Sequence, residues 1–352
     1  MHRTALVMIV RNERRCIQRC LLSVKPWVDE LVVMDTGSTD DTVALARACG
    51  ATVHHMAWPD SFAAARNAAL DCSTADWRIV LDADEYLQHG GEALAALRQH
   101  APDFVGALDV VSVFHDGTGT PGRASSLISR VLPRGVRYEG VIHEQPVHRW
   151  PVRRLPVAVQ HDGYLPEYQQ GKGDRNQRLL QAALAARPHD PYLLYQAGKD
   201  HEVHDRFEPA RQAYDAAYAL TTASAPYRHD LVLRHLFTLK ALGRTAEAIH
   251  LADSEMAHWP HSADFHFVLG DVLLDHALAH PASAPELLPM IEASWQQCLA
   301  LGDTPALEGA VQGRGSYLAA HNLAAFHECL GHVEQAAHFQ ALARRLREAA
   351  QP

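Results

Sequence analysis

At 352 residues the chain is long enough for two or three domains with their own cores. Its 32 basic and 41 acidic residues leave a formal charge of −9, which argues against nonspecific nucleic-acid binding. Six scattered cysteines, at positions 16, 20, 49, 72, 298 and 329, read as reduced core thiols of a cytoplasmic protein and not as a disulfide framework. No transmembrane run or signal peptide is expected, because the first strand starts within a few residues of Met1.

Thr4 to Val10 is a continuous apolar run that ends in Arg11-Asn12-Glu13. Cys16, Ile17, Cys20, Leu21 and Val24 then recur at helical spacing. Asp29 to Asp35 reads as a second buried strand, followed by the turn Thr36-Gly37-Ser38-Thr39-Asp40 and a helix from Thr42 to Cys49. Thr52 to Met56 is a short third strand. Alternating strands and helices imply a parallel sheet covered on both faces, with ligands bound outside the carboxyl ends of its strands.

The run Trp77 to Leu81 ends abruptly in Asp82-Ala83-Asp84. On a strand, two acids at i and i+2 project to the same side and suit a hard divalent cation, Mg²⁺ or Mn²⁺, with positions left for substrate phosphates. The plainer alternative is that they cap a helix starting near Glu85. Arg11-Asn12-Glu13, Asp35 and Asp82/Asp84 all fall at strand ends, which favours a site. Gly-rich phosphate loops of the dinucleotide or P-loop kind are absent, so a Rossmann dehydrogenase or a P-loop kinase is not indicated. An Asp ending strand two can hold a ribose or base edge while a metal takes the diphosphate, as a nucleotide-sugar site requires.

Four motifs in series, Ile9-Val10-Arg11-Asn12-Glu13, Val33 to Thr42, Phe62-Ala63-Ala64-Ala65-Arg66-Asn67 and Leu81 to Glu85, resemble family 2 glycosyltransferases of the GT-A fold. Tyr138 to Glu144 and His161 to Tyr164 resemble the branch whose catalytic domain precedes tetratricopeptide repeats. That branch includes sublancin-type S-glycosyltransferases and lipopolysaccharide-core glucosyltransferases. Asp162 departs from the aromatic residue that pattern carries. The resemblance implies an α/β domain at 1–165 with a Rossmann-like, mostly parallel central sheet, and an all-α tetratricopeptide-like solenoid at 166–352. It implies that Asp35 holds the uracil or ribose of a UDP-sugar, with Asn12 and Glu13 at the same edge. Arg66 would contact the nucleotide, Asp82 would lie by the ribose and metal, and Asp84 would ligate the metal directly. Arg66 also fits a structural Arg–Asp pair, since small residues around it let a guanidinium approach a phosphate or a carboxylate.

Inverting transfer needs a carboxylate to take the acceptor's proton. Val105 to Phe114 and Ser126 to Leu132 read as strands around a Gly-rich loop at 115–122, and the segment from Val136 carries Glu139, His143 and Glu144. Glu144, after the apolar pair Val141-Ile142, is the preferred base, with Glu139 and Asp116 in reserve. A salt bridge to Arg130 or Arg137 is its structural alternative. His161 is the third expected metal ligand, with His143 as rival. Spacings of structural zinc sites are absent, and with 24 histidines in the chain no single one is strong evidence.

From about Gly171 the sequence turns Ala-rich. Pro191-Tyr192-Leu193-Leu194, Ala197-Gly198, Ala210, Tyr214 and Ala217 follow tetratricopeptide spacing, and Gly-x₄-Ala recurs at 243/248 and 331/336. About four stacked helix pairs are expected, the third carrying a Pro-rich insertion at 281–289. An irregular bundle is the alternative.

The reading is an inverting, metal-dependent hexosyltransferase. It moves sugar from a UDP-sugar (UDP-glucose-like) to a peptide, protein or glycan acceptor, with Mn²⁺ or Mg²⁺ as cofactor. The helical region is suited to holding the acceptor or to homodimerisation. Nucleic-acid partners are not expected, and peripheral contact with the inner membrane stays open. The alternative from another class is a tetratricopeptide scaffold with an inactive transferase domain. A nucleotidyltransferase would need a Gly-rich pyrophosphorylase loop that Val10-Arg11-Asn12-Glu13 does not provide.

Overall fold

The computed structural model describes residues 1–115, 121–161 and 173–350. Asp116 and the segment 162–164 lie outside the described residues. The chain divides into two compact units, 1–186 and 187–352.

The first unit is built on a mixed sheet. Its strands are β1 (Thr4–Val10), β2 (Glu30–Asp35), β3 (Thr52–His55), β4 (Trp77–Val80), β5 (Glu85–His89), β6 (Val105–His115), β7 (Pro121–Pro133) and, after a separate hairpin, β10 (Val152–His161). The hairpin pairs β8 (Arg137–Glu139) with β9 (Gln145–Val147). The strand order of the main sheet is β3-β2-β1-β4-β7-β6-β10-β5. β1 pairs in parallel with β2 and β4, and β2 with β3; β7 turns the direction by pairing antiparallel with β4 and β6. Helices α1 (Ile17–Val24), α2 (Thr42–Ala48), α3 (Phe62–Asp71), α4 (Gly91–Ala96) and α5 (Gly173–Ala186) complete the unit.

Continuous apolar runs are what parallel strands covered on both faces require. Along β1, Leu6, Met8 and Val10 pack with Trp77, Ile79 and the α1 residues Ile17, Cys20 and Leu21. Ala5 and Val7, on the opposite face, pack with Val32, Val80 and the α3 residues Ala63, Ala69 and Leu70. Trp77 is fully buried and packs against Phe104 in a tilted arrangement, 4.7 Å between ring centroids.

The Asp-x-Asp segment differs from its expected form. β4 ends at Val80, so Asp82 and Asp84 are not alternate residues on a strand. They lie in a tight turn closed by the Glu85 N–H donating to the Asp82 carbonyl (3.0 Å). A helix cap is excluded as well, because β5 begins at Glu85.

The second unit is helical. α6 (Pro191–Glu202) and α7 (Phe207–Leu220), α8 (Arg228–Ala241) and α9 (Thr245–Glu255), α10 (Ala263–Ala279) and α11 (Ala284–Leu301), α12 (Tyr317–Cys329) and α13 (Val333–Ala349) form successive antiparallel-type pairs, each helix packed on the next. Small residues on the first helix of a pair receive rings from the second. A Cβ on Gly198 would sit 2.2 Å from the Tyr214 ring, and one on Gly270 would sit 2.5 Å from Trp295. Asp190 caps α6 by accepting from Tyr192 and Leu193 N–H, with Pro191 at the first turn where no N–H is needed. The Pro-rich stretch 281–289 is helical throughout. Pro281–Ser283 is one 3₁₀ turn, and α11 starts at Ala284, taking Pro285 into its first turn and keeping Pro289 inside. No helix among the described residues is long and apolar enough to cross a membrane.

Candidate active site

β1, β2 and β4 run parallel, so the residues that follow their last positions gather at one edge of the sheet. Asn12 adopts a left-handed backbone conformation with φ of 57°. Asn tolerates that region because its side chain can bond locally. Its N–H donates to Ser38 Oγ (2.9 Å), and its Oδ1 accepts from Thr39 N–H (2.8 Å). Glu13 N–H donates to Thr42 Oγ1 (2.7 Å). The loops after β1 and β2 are thereby joined around Asp35, which is buried at the end of β2. Asp35 accepts from Ser38 N–H (3.1 Å) and Gly37 N–H (3.3 Å), and lies 3.3 Å from His55 Nδ1. Burial opposes its charge, but these bonds, Ser38 first, hold its carboxyl below the usual carboxylate range.

α3 delivers Arg66. Ser61 caps the helix by accepting from Ala64 N–H (3.2 Å), and buried Ala63, Ala65 and Ala69 let it lie close to the sheet. Arg66 Nη2 donates to Asp82 Oδ1 (2.7 Å), and Nε donates to Glu144 Oε1. Arg130, on β7, donates from Nη2 to Asp82 Oδ2 (3.0 Å) and to Glu85 Oε1 (2.5 Å). Glu85 Oε2 accepts from Asp82 N–H (2.9 Å). Five side chains therefore alternate in charge: Glu144, Arg66, Asp82, Arg130, Glu85. Arg66 and Arg130 are the links: removing either would leave a buried carboxylate, Glu144 or Glu85, without its guanidinium, at a cost of about 3–5 kcal/mol.

Exposure singles out Asp82. Its side chain is 35% exposed, whereas Glu85 is 3% and Arg66, Arg130 and Glu144 are 8–9%. Solvent reaches the network at Asp82. Burial would raise the Asp82 pKa, but the charges of Arg66 and Arg130 overrule it and hold the carboxyl far below the usual range. Burial pushes Glu85 upward. Tyr138, whose ring lies 5.6 Å from the Arg66 guanidinium, is pushed up to about 12 by burial. Arg66 Nη1, Arg130 Nε and the Tyr138 hydroxyl are buried without a hydrogen-bond partner among the described residues.

Glu144 is placed by the β8–β9 hairpin. Gly140 (φ 102°) and His143 (φ 50°) shape the turn that carries it. The hairpin is tied to α3 by Phe62 N–H donating to Val141 O (2.9 Å) and by Asn67, which bonds both the N–H and the carbonyl of Tyr138. The salt bridge of Glu144 goes to Arg66, not to Arg130 or Arg137; Arg137 instead pairs with Asp71 (2.6 Å). Glu139 is exposed on β8, on the far side of that turn.

Asp84 and His161 meet across β5 and β10. His161 pairs with Glu85 in the sheet register, and its Nε2 lies 3.7 Å from Asp84 Oδ1. Its Nδ1 is 3.3 Å from Ser112 Oγ. Burial lowers the His161 pKa, but Asp84 more than compensates and raises it. The structure thus brings Asp84 and His161 together and turns Asp82 towards two guanidiniums; no cluster of three potential ligands forms among the described residues. Arg130 and Glu85 were missed as members of the site. The available signal was a lone Arg inside the strand run Leu127-Ile128-Ser129-Arg130-Val131-Leu132.

Residues 5–149 match the family model described as glycosyl transferase family 2. That stretch holds Asn12, Glu13, Asp35, Arg66, Asp82, Asp84 and Glu144, while His161 lies beyond it. A glycosyltransferase of Bacillus subtilis, SunS, is 29% identical over 58% of this chain and 50% of its own length. A tetratricopeptide-repeat-containing protein of Synechococcus elongatus is 54% identical over 25% of this chain and 22% of its own. The chain thus spans half or less of the curated relatives it matches first. Among solved structures, MamA of Desulfovibrio magneticus aligns over 52% of this chain and 90% of its own at 16% identity and a TM-score of 0.41, too low to bear on the assignment. The chain carries an N-terminal family 2 glycosyl transferase domain and a tetratricopeptide-type helical region.

Proposed function

We propose that this family 2 domain is an inverting glycosyltransferase that moves a hexose from a UDP-sugar to a peptide, protein or glycan acceptor. The observation that carries the proposal is the meeting of Asp82 and Glu144 on one buried arginine, Arg66, at the carboxyl ends of the parallel strands. Donor-side and acceptor-side carboxylates are there fixed by a single side chain.

Asp35, held ionised by the Ser38 and Gly37 N–H groups, accepts from the uracil or ribose of the donor in this reading. Asp84 and His161 offer an oxygen and a nitrogen within 3.7 Å of each other, a donor pair that fits Mn²⁺ or Mg²⁺ with positions left for phosphate oxygens. Asp82 is committed to Arg66 and Arg130, so it acts at the ribose or through the arginines. A bound cation would offset the charge that develops on the UDP leaving group. Glu144 takes the acceptor's proton as the acceptor heteroatom bonds to the anomeric carbon. The bond from that carbon to the diphosphate oxygen breaks on the opposite side, and its electron pair leaves with UDP. Attack from the face opposite the leaving group inverts the anomeric centre.

The test is to incubate the full chain with a panel of UDP-sugars and Mn²⁺, follow UDP release, and identify glycosylated acceptors by mass spectrometry. Release that needs the cation and one UDP-sugar supports the reading; no release with any sugar removes it. The scaffold alternative draws on one observation, that both oxygens of Asp82 are already paired with arginines. It predicts nucleotide binding without turnover.

A further inference from the structure

We infer that Arg66 is a shared clamp, so that a nucleoside diphosphate and Glu144 compete for its charge and donor binding releases the base; this rests on the glycosyl-transfer reading above.

The bonding of the three guanidinium nitrogens is unequal. Nη2 serves Asp82 and Nε serves Glu144, while Nη1 is buried with no hydrogen-bond partner among the described residues. A buried, unpaired N–H group on a cation is a strong site for an anionic oxygen.

The two carboxylates on Arg66 also differ in what else holds them. Asp82 has a second cation, Arg130, which Glu85 braces at 2.5 Å. Among the described residues, Arg66 is the cation that Glu144 pairs with. An anion that draws Arg66 towards itself leaves Asp82 compensated and Glu144 without its counter-charge. Asp82, at 35% side-chain exposure, is where such an anion enters.

In the free protein Glu144 is therefore held in an ion pair with Arg66. With the donor diphosphate bound, the pair loosens and Glu144 can take the acceptor's proton. Donor would bind before acceptor, and the base would not be available to a site lacking sugar. Arg130 is the positioning residue that makes this possible, because it keeps Asp82 in place when Arg66 shifts.

The competition is readable without knowing the acceptor. The affinity of the full chain for UDP with Mn²⁺ is measured by calorimetry for wild type, Glu144→Gln, Arg66→Met and the double variant, with folding checked by circular dichroism. Glu144→Gln is nearly isosteric and removes the competing charge, so UDP should bind roughly 3- to 10-fold tighter. In the Arg66→Met background the same change should leave affinity unaltered. If Glu144→Gln leaves UDP affinity unchanged or weakens it, Arg66 is not shared and the inference is overturned. If Arg66→Met does not fold, the sign of the Glu144→Gln effect decides alone. A wild-type protein that binds no UDP would instead overturn the functional reading, a failure seen before any variant is made.

Discussion

Asn67 and Tyr138 bond each other reciprocally: the Asn67 Nδ2 donates to the Tyr138 carbonyl and the Tyr138 N–H donates to Asn67 Oδ1, both at 2.9 Å. One amide side chain thus mimics a strand partner and fastens the hairpin that carries Glu144 to the helix that carries Arg66. The residue after Arg66 in sequence thus holds Glu144's hairpin against the helix from which Arg66 reaches Glu144.

Asn67→Ala should remove both bonds and leave partly buried backbone groups unpaired, at about 2–4 kcal/mol of stability. Asn67→Asp keeps the acceptor and loses the donor, so it should fall between. Denaturant unfolding of the three proteins gives the order. Equal stability of Asn67→Ala and wild type would show that the hairpin is held by other contacts.

Asp84→Ala should abolish the dependence of UDP binding on Mn²⁺ and cost at least ~3 kcal/mol of transition-state stabilisation in donor cleavage. The motive is its position 3.7 Å from His161, opposite the arginine-bound Asp82. Wild-type turnover in EDTA, or in Asp84→Ala, would remove both residues from a metal role.

Glu144→Gln should lower sugar transfer to a hydroxyl acceptor by ~10²–10⁴-fold, since the amide cannot take the proton. A thiol acceptor ionises more easily and should soften the loss. Rates measured on both acceptor types separate the cases. Wild-type transfer to a hydroxyl in this variant would pass the base role to Glu139 or Asp116.

Asp271, on α10, gives a pH dependence that is independent of the site. Burial pushes its carboxyl up to about 6, against an ordinary value of 3.8. Asn322 Nδ2 donates to it at 3.0 Å. Because the folded pKa is the higher one, the folded protein binds the extra proton between these values. Stability from this group is therefore greatest at low pH and falls as pH rises from about 4 through 6, by ~3 kcal/mol in all. Asp271→Asn can still accept from Asn322 and carries no charge to bury. Its melting temperature should exceed that of wild type at pH 7.5 and converge with it near pH 4. Parallel melting curves across that range would contradict the assignment.

Much of the architecture is legible in the chain itself. Thr4–Val10, Glu30–Asp35 and Trp77–Val80 are strands because a parallel strand buried on both faces must be apolar at every position. The helical pairs announce themselves through Gly198 and Tyr214, or Gly270 and Trp295, since a small residue must face each ring for two helices to close. The acids that follow the strands mark the edge of the sheet where the charged network gathers.

The sequence by itself determined which residues stand at that edge: Asn12, Asp35, Arg66, Asp82, Asp84 and Glu144. Only the tertiary structure decided which charge each of them faces. Asp82 meets Arg130 because β7 runs antiparallel to β4 with Ile79 opposite Val131, a register that brings a residue 48 positions away beside it. Asp84 meets His161 because β10 closes on β5. Local patterns report which face a side chain occupies, through spacing and hydrophobicity. Ion pairs depend on long-range register and on the depth at which water is excluded, and no short stretch of sequence contains either.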